Sequence, residues 1–260
     1  MTRALLFALA LVATPLAAQE SAVIGGWALP EGAVVRTESV NASSVQAGAS
    51  VIKSRIEESA VTTIDSVADG QFVRARQTLE REDRRSLRDG RPMPSSPDPL
   101  LGLSVVMERT ATGWTQRANG WRPNAAQRDE MGPMGTMEDV EYPERPLAVG
   151  ETIVVPDSAL RQLYDGATDG PHRLTVRLDS LGTVGGAPVA YLTQEVEVAI
   201  EDDEGFGMTM DMRASIVRRL DWMLDVETLW SGDITYSFPG GGSVPGTMTM
   251  RMTQTATLPE

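Results

Sequence analysis

The residues best suited to chemistry in this chain are its methionines. Met208, Met210 and Met212 alternate along one segment, and Met248, Met250 and Met252 along another. Met131, Met134 and Met137 recur every third residue in a Gly/Pro-bearing stretch. On a strand, residues i and i+2 share a face about 6.5 Å apart. Each of the first two triplets would therefore present three thioethers on one side, and pairing of the strands would assemble a patch of six. Thioethers are soft donors that suit Cu(I). They are equally good flexible apolar filler, which makes the same face either core or the lining of an adaptable groove for a lipid-like or other apolar ligand. Trp222 and Trp230, on the segment between the triplets, would add aromatic area to that face.

Other reactive combinations carry less. His172 is the only histidine and follows Asp169-Gly170-Pro171. A hydrolytic triad would need it as base. The nearest approach to a nucleophile elbow, Gly241-Gly242-Ser243-Val244-Pro245, has proline where the second glycine belongs. His172 reads as a solvated surface residue. Ser50-Val51-Ile52-Lys53 matches Ser-x-x-Lys, but that chemistry needs one helical turn between the two side chains. This segment is strand-like, which sends them to opposite faces. Thirty-six acidic residues make carboxylate pairs unavoidable, so glycoside chemistry has no distinguishing signal. The run Glu201 to Glu204 lacks the alternating Asp/Asn pattern of a calcium loop and reads as a hairpin turn. Arg81, Arg84, Arg85, Arg88 and Arg91 are interleaved with Glu80, Glu82, Asp83 and Asp89, which makes a mixed-charge hairpin or loop. No catalytic residue and no cofactor is expected.

Composition narrows the classes further. A net charge of −13 over 260 residues argues against nucleic acid and against anionic headgroups, both of which need a basic surface. The absence of cysteine removes thiol nucleophiles, zinc-thiolate and iron–sulfur sites, and lipid attachment through an N-terminal cysteine. Arg3, the apolar stretch Leu5 to Val12 and Thr14-Pro15-Leu16-Ala17-Ala18 have the form of a secretory signal cleaved after Ala18. No later apolar run approaches the roughly 20 residues of a membrane helix. The expectation is a protein of the periplasm or the exterior, without a stable membrane anchor.

The elements that must position these residues are strands. Arg173 to Asp179, Val189 to Ile200, Met208 to Ile216, Trp222 to Phe238 and Thr247 to Thr253 alternate apolar and polar residues, the mark of an antiparallel meander with one wet face. A phase shift between Tyr191 and Val196 suggests a bulge. Val34 to Val40, Val51 to Val67 and Phe72 to Leu79 read as strands, the second because of its β-branched content. Asp89 to Pro99 reads as a loop, and Leu101 to Arg109 with Trp114 to Arg117 as a hairpin. Asn124 to Met131 suits one short helix, Gly150 to Val155 a strand, and Pro156 to Tyr164 a second helix. The fold class is mainly β: a large curved antiparallel sheet or open barrel with one or two short helices. Residues 19–260 form one β-rich domain, or two halves (19–120 and 147–260) joined by a polar connection over 121–146.

The leader, the long strands, the short helical crossing and the segment Pro146-Leu147-Ala148-Val149-Gly150-Glu151-Thr152 entering a strand resemble the periplasmic lipoprotein-carrier fold, a curved open barrel with a lid. They are also similar to uncharacterised secreted bacterial families of related architecture. The resemblance runs from about Ala33 to Leu258, implies architecture, and transfers no functional residue. The resulting expectation is an exported, non-catalytic envelope protein. Its partner would be an apolar small molecule, held against Met208, Met210, Met212, Trp222, Trp230, Met248, Met250 and Met252, or another envelope protein. The alternatives are a periplasmic Cu(I)-binding protein using Met131, Met134 and Met137, and a purely structural or interaction protein.

Overall fold

The computed structural model describes residues 20–68, 71–110, 113–131, 142–143, 145–156, 172–201 and 205–260. Fourteen strands and one helix lie among them. They are β1 (Ser21–Val23), β2 (Val34–Ala47), β3 (Ser50–Ala68), β4 (Gln71–Arg88), β5 (Arg91–Met93), β6 (Ser104–Thr110), β7 (Gly113–Ala118), α1 (Ala125–Glu130), β8 (Pro146–Ala148), β9 (Thr152–Val154), β10 (Arg173–Val184), β11 (Ala187–Glu201), β12 (Gly207–Arg219), β13 (Leu224–Phe238) and β14 (Gly242–Thr257).

Twelve of the strands make a single curved antiparallel sheet that does not close. Its order is β7-β6-β4-β3-β2-β14-β13-β12-β11-β10-β9, with β5 paired to β4. Each half of the chain supplies a meander of near neighbours. The meanders are joined where β14 pairs with β2, from Gly246 opposite Val45 to Thr257 opposite Val34. That seam unites the two halves in one ladder.

The alternation seen in the sequence from Arg173 onward is the alternation of this ladder. On β10, Leu174, Val176 and Leu178 are buried while Arg173 and Arg177 are exposed. The bulge lies between Leu178 and Ser180 of β10, however, and β11 pairs with β12 in unbroken register. The extra residue that shifts the phase is Asp179, whose carboxylate accepts from Arg177 and Thr193. β3 matches its expected span to within a residue at each end, whereas β2 and β4 run much further than their apolar stretches predict. They continue as charged, twisted ribbon to the turns at Gly48 and Asp89-Gly90. Cross-strand ion pairs such as Arg36–Glu80 and Arg81–Glu38 occupy the outer face there. The arginine-rich stretch is thus β4 with its turn into β5.

Among the described residues, the covering segments lie on one face of the sheet and form two separate covers. The first is the two-stranded ribbon β1–β8 with residues 149–155. It places Ile24, Leu147 and Val155 over Leu174, Val176, Leu178, Leu192, Val196 and Ile216 in the main apolar cluster. Fully burying each such side chain contributes about 1.5–3 kcal/mol. The ribbon is pinned through backbone bonds from Gly150 N to Leu178 O (2.7 Å) and Val155 N to Leu174 O (2.9 Å). The second cover lies over β4, β6 and β7. There Trp27, Phe72 and Trp114 stack in a row, with centroids 4.6 and 4.7 Å apart, beside Leu29, Ile64, Ala75 and Met107.

A buried ion pair ties the covers together. Arg218, whose side chain is 3% exposed, bonds Asp225 at 2.7 Å, and Asp225 also accepts from the Tyr142 hydroxyl at 2.8 Å. Arg218 Nε donates to Ile24 O at 2.6 Å, and its guanidinium lies 4.2 Å from the centre of the Tyr142 ring. The N-terminal segment and the 142–143 segment therefore close on the β12–β13 turn through charge-assisted bonds.

Candidate functional site

The register decides what the methionine strands can build. Met208, Met210, Met212 and Met248, Met250, Met252 all lie on the inner, covered face. They do not form one patch, because β13 separates β12 from β14. Only Met212 and Met248 share a cross-strand row, with Gly232 between them. That glycine leaves room for the Met212 sulfur, which a Cβ at position 232 would meet at 2.9 Å. From this row the triplets diverge. Met210 and Met208 run toward Ile234 and Tyr236, whereas Met250 and Met252 run the other way beside Trp230 and Thr228. Met212 is buried in the main cluster, and Met210, Met248 and Met250 pack against it.

The two tryptophans part company as well. Trp230 sits on the inner face between Ala214 and Met250 and belongs to the main cluster. Trp222 lies in the β12–β13 turn, outside β13. Its ring stacks under the Arg219 guanidinium at 3.3 Å and packs on the second cluster. A turn residue with positive φ, Met223, follows it and breaks the alternation that the sequence suggested. Of the third methionine set, Met131 is the C-cap residue of α1, and Met134 and Met137 lie outside the described residues. The helix expected to run from Pro156 to Tyr164 lies outside them too.

Between the two covers the inner face opens into a cavity of about 480 Å³, within the range of roughly 300–1,000 Å³ usual for small-molecule sites. Its floor is the seam of the sheet. Met250, Met252 and Gln254 come from β14, Thr37 and Ser39 from β2, Glu58 and Ala60 from β3, and Gln77 and Leu79 from β4. One wall is the loop carrying Asp98, Leu100 and Leu103, and Glu130 at the end of α1 borders it. Val105 and Gln116 close the far side. The cavity forms because β2 and β14 carry small or unbranched side chains here, while the bulky covers stop on either side.

Local hydrogen bonds hold the loop wall in place. Gly102 N donates to Leu79 O at 2.8 Å, and Asp98 N to the Glu82 carboxylate at 2.6 Å. Asp98 in turn accepts from Leu100 N at 2.6 Å. The helix is fastened to the loop by Gln127 Nε2, which donates to Pro99 O at 3.1 Å. Asn124 and Gln127 satisfy each other's backbone as a capping box, so even this short helix has a defined start.

Polarity changes along the floor. One row reads Thr228, Met252, Ser39, Glu58 and Glu82 across five strands. The next reads Gln254, Thr37, Ala60 and Leu79. Glu82 is nearly buried and is matched by Arg84 at 2.6 Å. Glu58, directly opposite it, accepts only from the Ser39 hydroxyl at 3.3 Å among the described residues. Gln254 donates to Thr37 Oγ1 at 3.2 Å, and its Oε1 has no partner among the described residues.

The remaining sequence candidates fall elsewhere. Ser50 and Lys53 lie on β3 with opposite orientations, and the Ser50 hydroxyl is held by Asp89 at 2.9 Å. His172 precedes β10 and is half-buried, with its Nδ1 enclosed, so it is more deeply set than a solvated surface residue. Of the methionine and tryptophan set, only Met250 and Met252 line the cavity. Leu79, Leu100, Leu103 and Val105 belong to it without having been singled out. Their only signal in the sequence was apolarity at strand or loop ends, which the buried core residues share.

No protein-family model matches the chain, and no curated protein matches it significantly. Among solved structures, its backbone is similar to lipovitellin, determined for its lipid–protein interactions. The TM-score is 0.48 and the identity 10%, over 89% of this chain and 26% of lipovitellin. It is also similar to a candidate AttH from Nitrosomonas europaea, with TM-score 0.17 and 12% identity over 84% of this chain and 92% of that one. The chain thus spans about a quarter of lipovitellin. Neither likeness transfers a ligand or an activity.

Proposed function

We propose that this chain is an exported, non-catalytic binding protein whose ligand is a small molecule with an apolar chain, held in the inner-face cavity. The observation that carries this reading is the cavity itself. Its apolar lining comes from Met250, Met252, Leu79, Leu100, Leu103 and Val105, and it sits where two well-packed covers stop short of each other. Methionine suits a wall that must adapt to a flexible chain, because its three side-chain torsions and polarizable sulfur repack at low cost. Export rests on Arg3, Leu5 to Val12 and the small residues ending at Ala18. In this reading Met208 and Met210 belong to the packing of the sheet, and the ligand contacts are Met250 and Met252.

The test is binding of n-dodecanol, a neutral single-chain probe, measured by native mass spectrometry and by tryptophan emission. Stoichiometric binding is expected. Met252→Glu places a charge in the lining and should weaken it at least tenfold while leaving the far-ultraviolet circular dichroism unchanged. Absence of binding, or equal binding by the folded variant, would overturn the proposal.

A further inference from the structure

We infer that the outer face of the sheet, the side away from the cavity, docks on the same face of a second copy of this chain. Opposite charges stand there at equal distances on either side of the seam between β14 and β2. One cross-strand row reads Asp211, Asp233, Thr247, Ser44, Lys53 and Leu87, each residue directly opposite the next. In the adjoining row Thr249 and Ala42 lead to Arg55 and Arg85. Asp233 is thus one strand beyond β14, and Lys53 one strand beyond β2. All five charged side chains are exposed. Lys53 has no carboxylate partner among the described residues. Asp211 and Asp233 face each other without a cation among the described residues, an opposition that destabilises a strand pair. Arg213, two residues along from Asp211, turns to Glu195 instead, at 3.7 Å. Arg55 and Arg85 are opposed as the aspartates are, with Glu57 and Asp83 pairing them from one side.

In a two-fold contact one patch meets itself, so the patch has to be self-complementary. An axis running along the seam keeps each row over itself and carries β3 of one copy over β13 of the other. Lys53 then faces the partner's Asp233, and Asp233 faces the partner's Lys53. Arg85 lies over β12 of the other copy, one row from the partner's Asp211. An axis across the strands would set like charges together. The centre of the face allows close approach. Thr247, Thr249, Ser44 and Ala42 are short and floor a trough of about 460 Å³, walled by Lys53, Arg55, Arg85 and Leu87. Stacked sheets lie about 10 Å apart, a gap that an extended lysine and an aspartate bridge together.

The experiment is sedimentation velocity of the full chain, with Lys53→Glu and Asp233→Lys studied alone and mixed. A concentration-dependent dimer is expected at about 50 mM salt, weakened at least tenfold at about 1 M, where the screening length falls to about 3 Å. Each variant alone should weaken the dimer at least tenfold and keep the far-ultraviolet circular dichroism of the parent. Their equimolar mixture should recover it as a heterodimer, because every contact between positions 53 and 233 again joins opposite charges. Net charge provides the control. At −13, Asp233→Lys lowers the general repulsion between copies and Lys53→Glu raises it, so a nonspecific effect would move the two in opposite directions. A monomer at every concentration, a stronger dimer with Asp233→Lys, or a mixture no tighter than its components would each overturn the inference. None of these outcomes depends on ligand binding at the inner-face cavity.

Discussion

The two parts of the inner face differ in what lies over them more than in how they are built. Over β10 to β13, the β1–β8 ribbon buries leucine, valine and isoleucine completely, and Arg218 with Asp225 locks its edge. Over β14, β2 and β3, the same period-two ladder carries Met250, Met252, Thr37 and Ser39, and neither cover reaches them fully. One sheet therefore holds a packed core and an open cavity side by side. The lesson is that strand alternation selects a face, whereas the covering segments decide whether that face becomes core or site.

The strongest way to break this contrast is at the lock. Asp225→Ala removes one charged partner of the buried Arg218 guanidinium, and loss of one partner of such a pair costs about 3–5 kcal/mol. Urea denaturation should show that loss. A variant within 1 kcal/mol of the parent would mean that the ribbon is held by apolar contacts alone. The next largest effect separates the two regions directly. Leu178→Ala, fully buried beneath the ribbon, should cost about 2–5 kcal/mol. Met252→Ala, in the half-buried cavity wall, should cost about 1 kcal/mol or less. Similar losses from the two would show the cavity to be as tightly packed as the core.

The smallest effect is acid-dependent. The Arg145 guanidinium, and then the Ala148 N–H, hold the Glu151 carboxyl below the ordinary carboxylate range. A depressed carboxylate contributes stability that is complete above its unfolded value, near pH 4, and disappears as the pH falls through the lower folded value. Glu151 is solvent-screened, so the contribution is small. Glu151→Gln should lower the melting temperature slightly at pH 6 and converge with the parent toward pH 3. A constant offset across that range would assign the effect to packing of the turn instead.

Much of the architecture was legible in advance. The meander from Arg173 to Thr253 appears as alternation because one face of those strands is buried and the other wet, and that contrast is written residue by residue. The charged extensions of β2 and β4 were not legible, since their outer face trades apolar contacts for ion pairs that look like loop composition. Trp222 was assigned to a strand because its apolarity matched the phase, while the turn at Met223 is a conformational choice without a glycine to mark it. For the candidate site, the sequence pointed to all six strand methionines, and only Met250 and Met252 reached the cavity.

The sequence by itself determined the class of this protein: a cysteine-free, acidic chain of alternating strands, with thioethers concentrated on one face of two of them. Those properties are local, carried by residue type and by a period of two. Tertiary structure alone decided the union of the two meanders at β14 and β2, the placement of β13 between the methionine triplets, and the stopping of both covers short of the seam. Each of these depends on pairing between segments far apart in the chain. Alternation records which way a side chain points and leaves open which strand lies beside it.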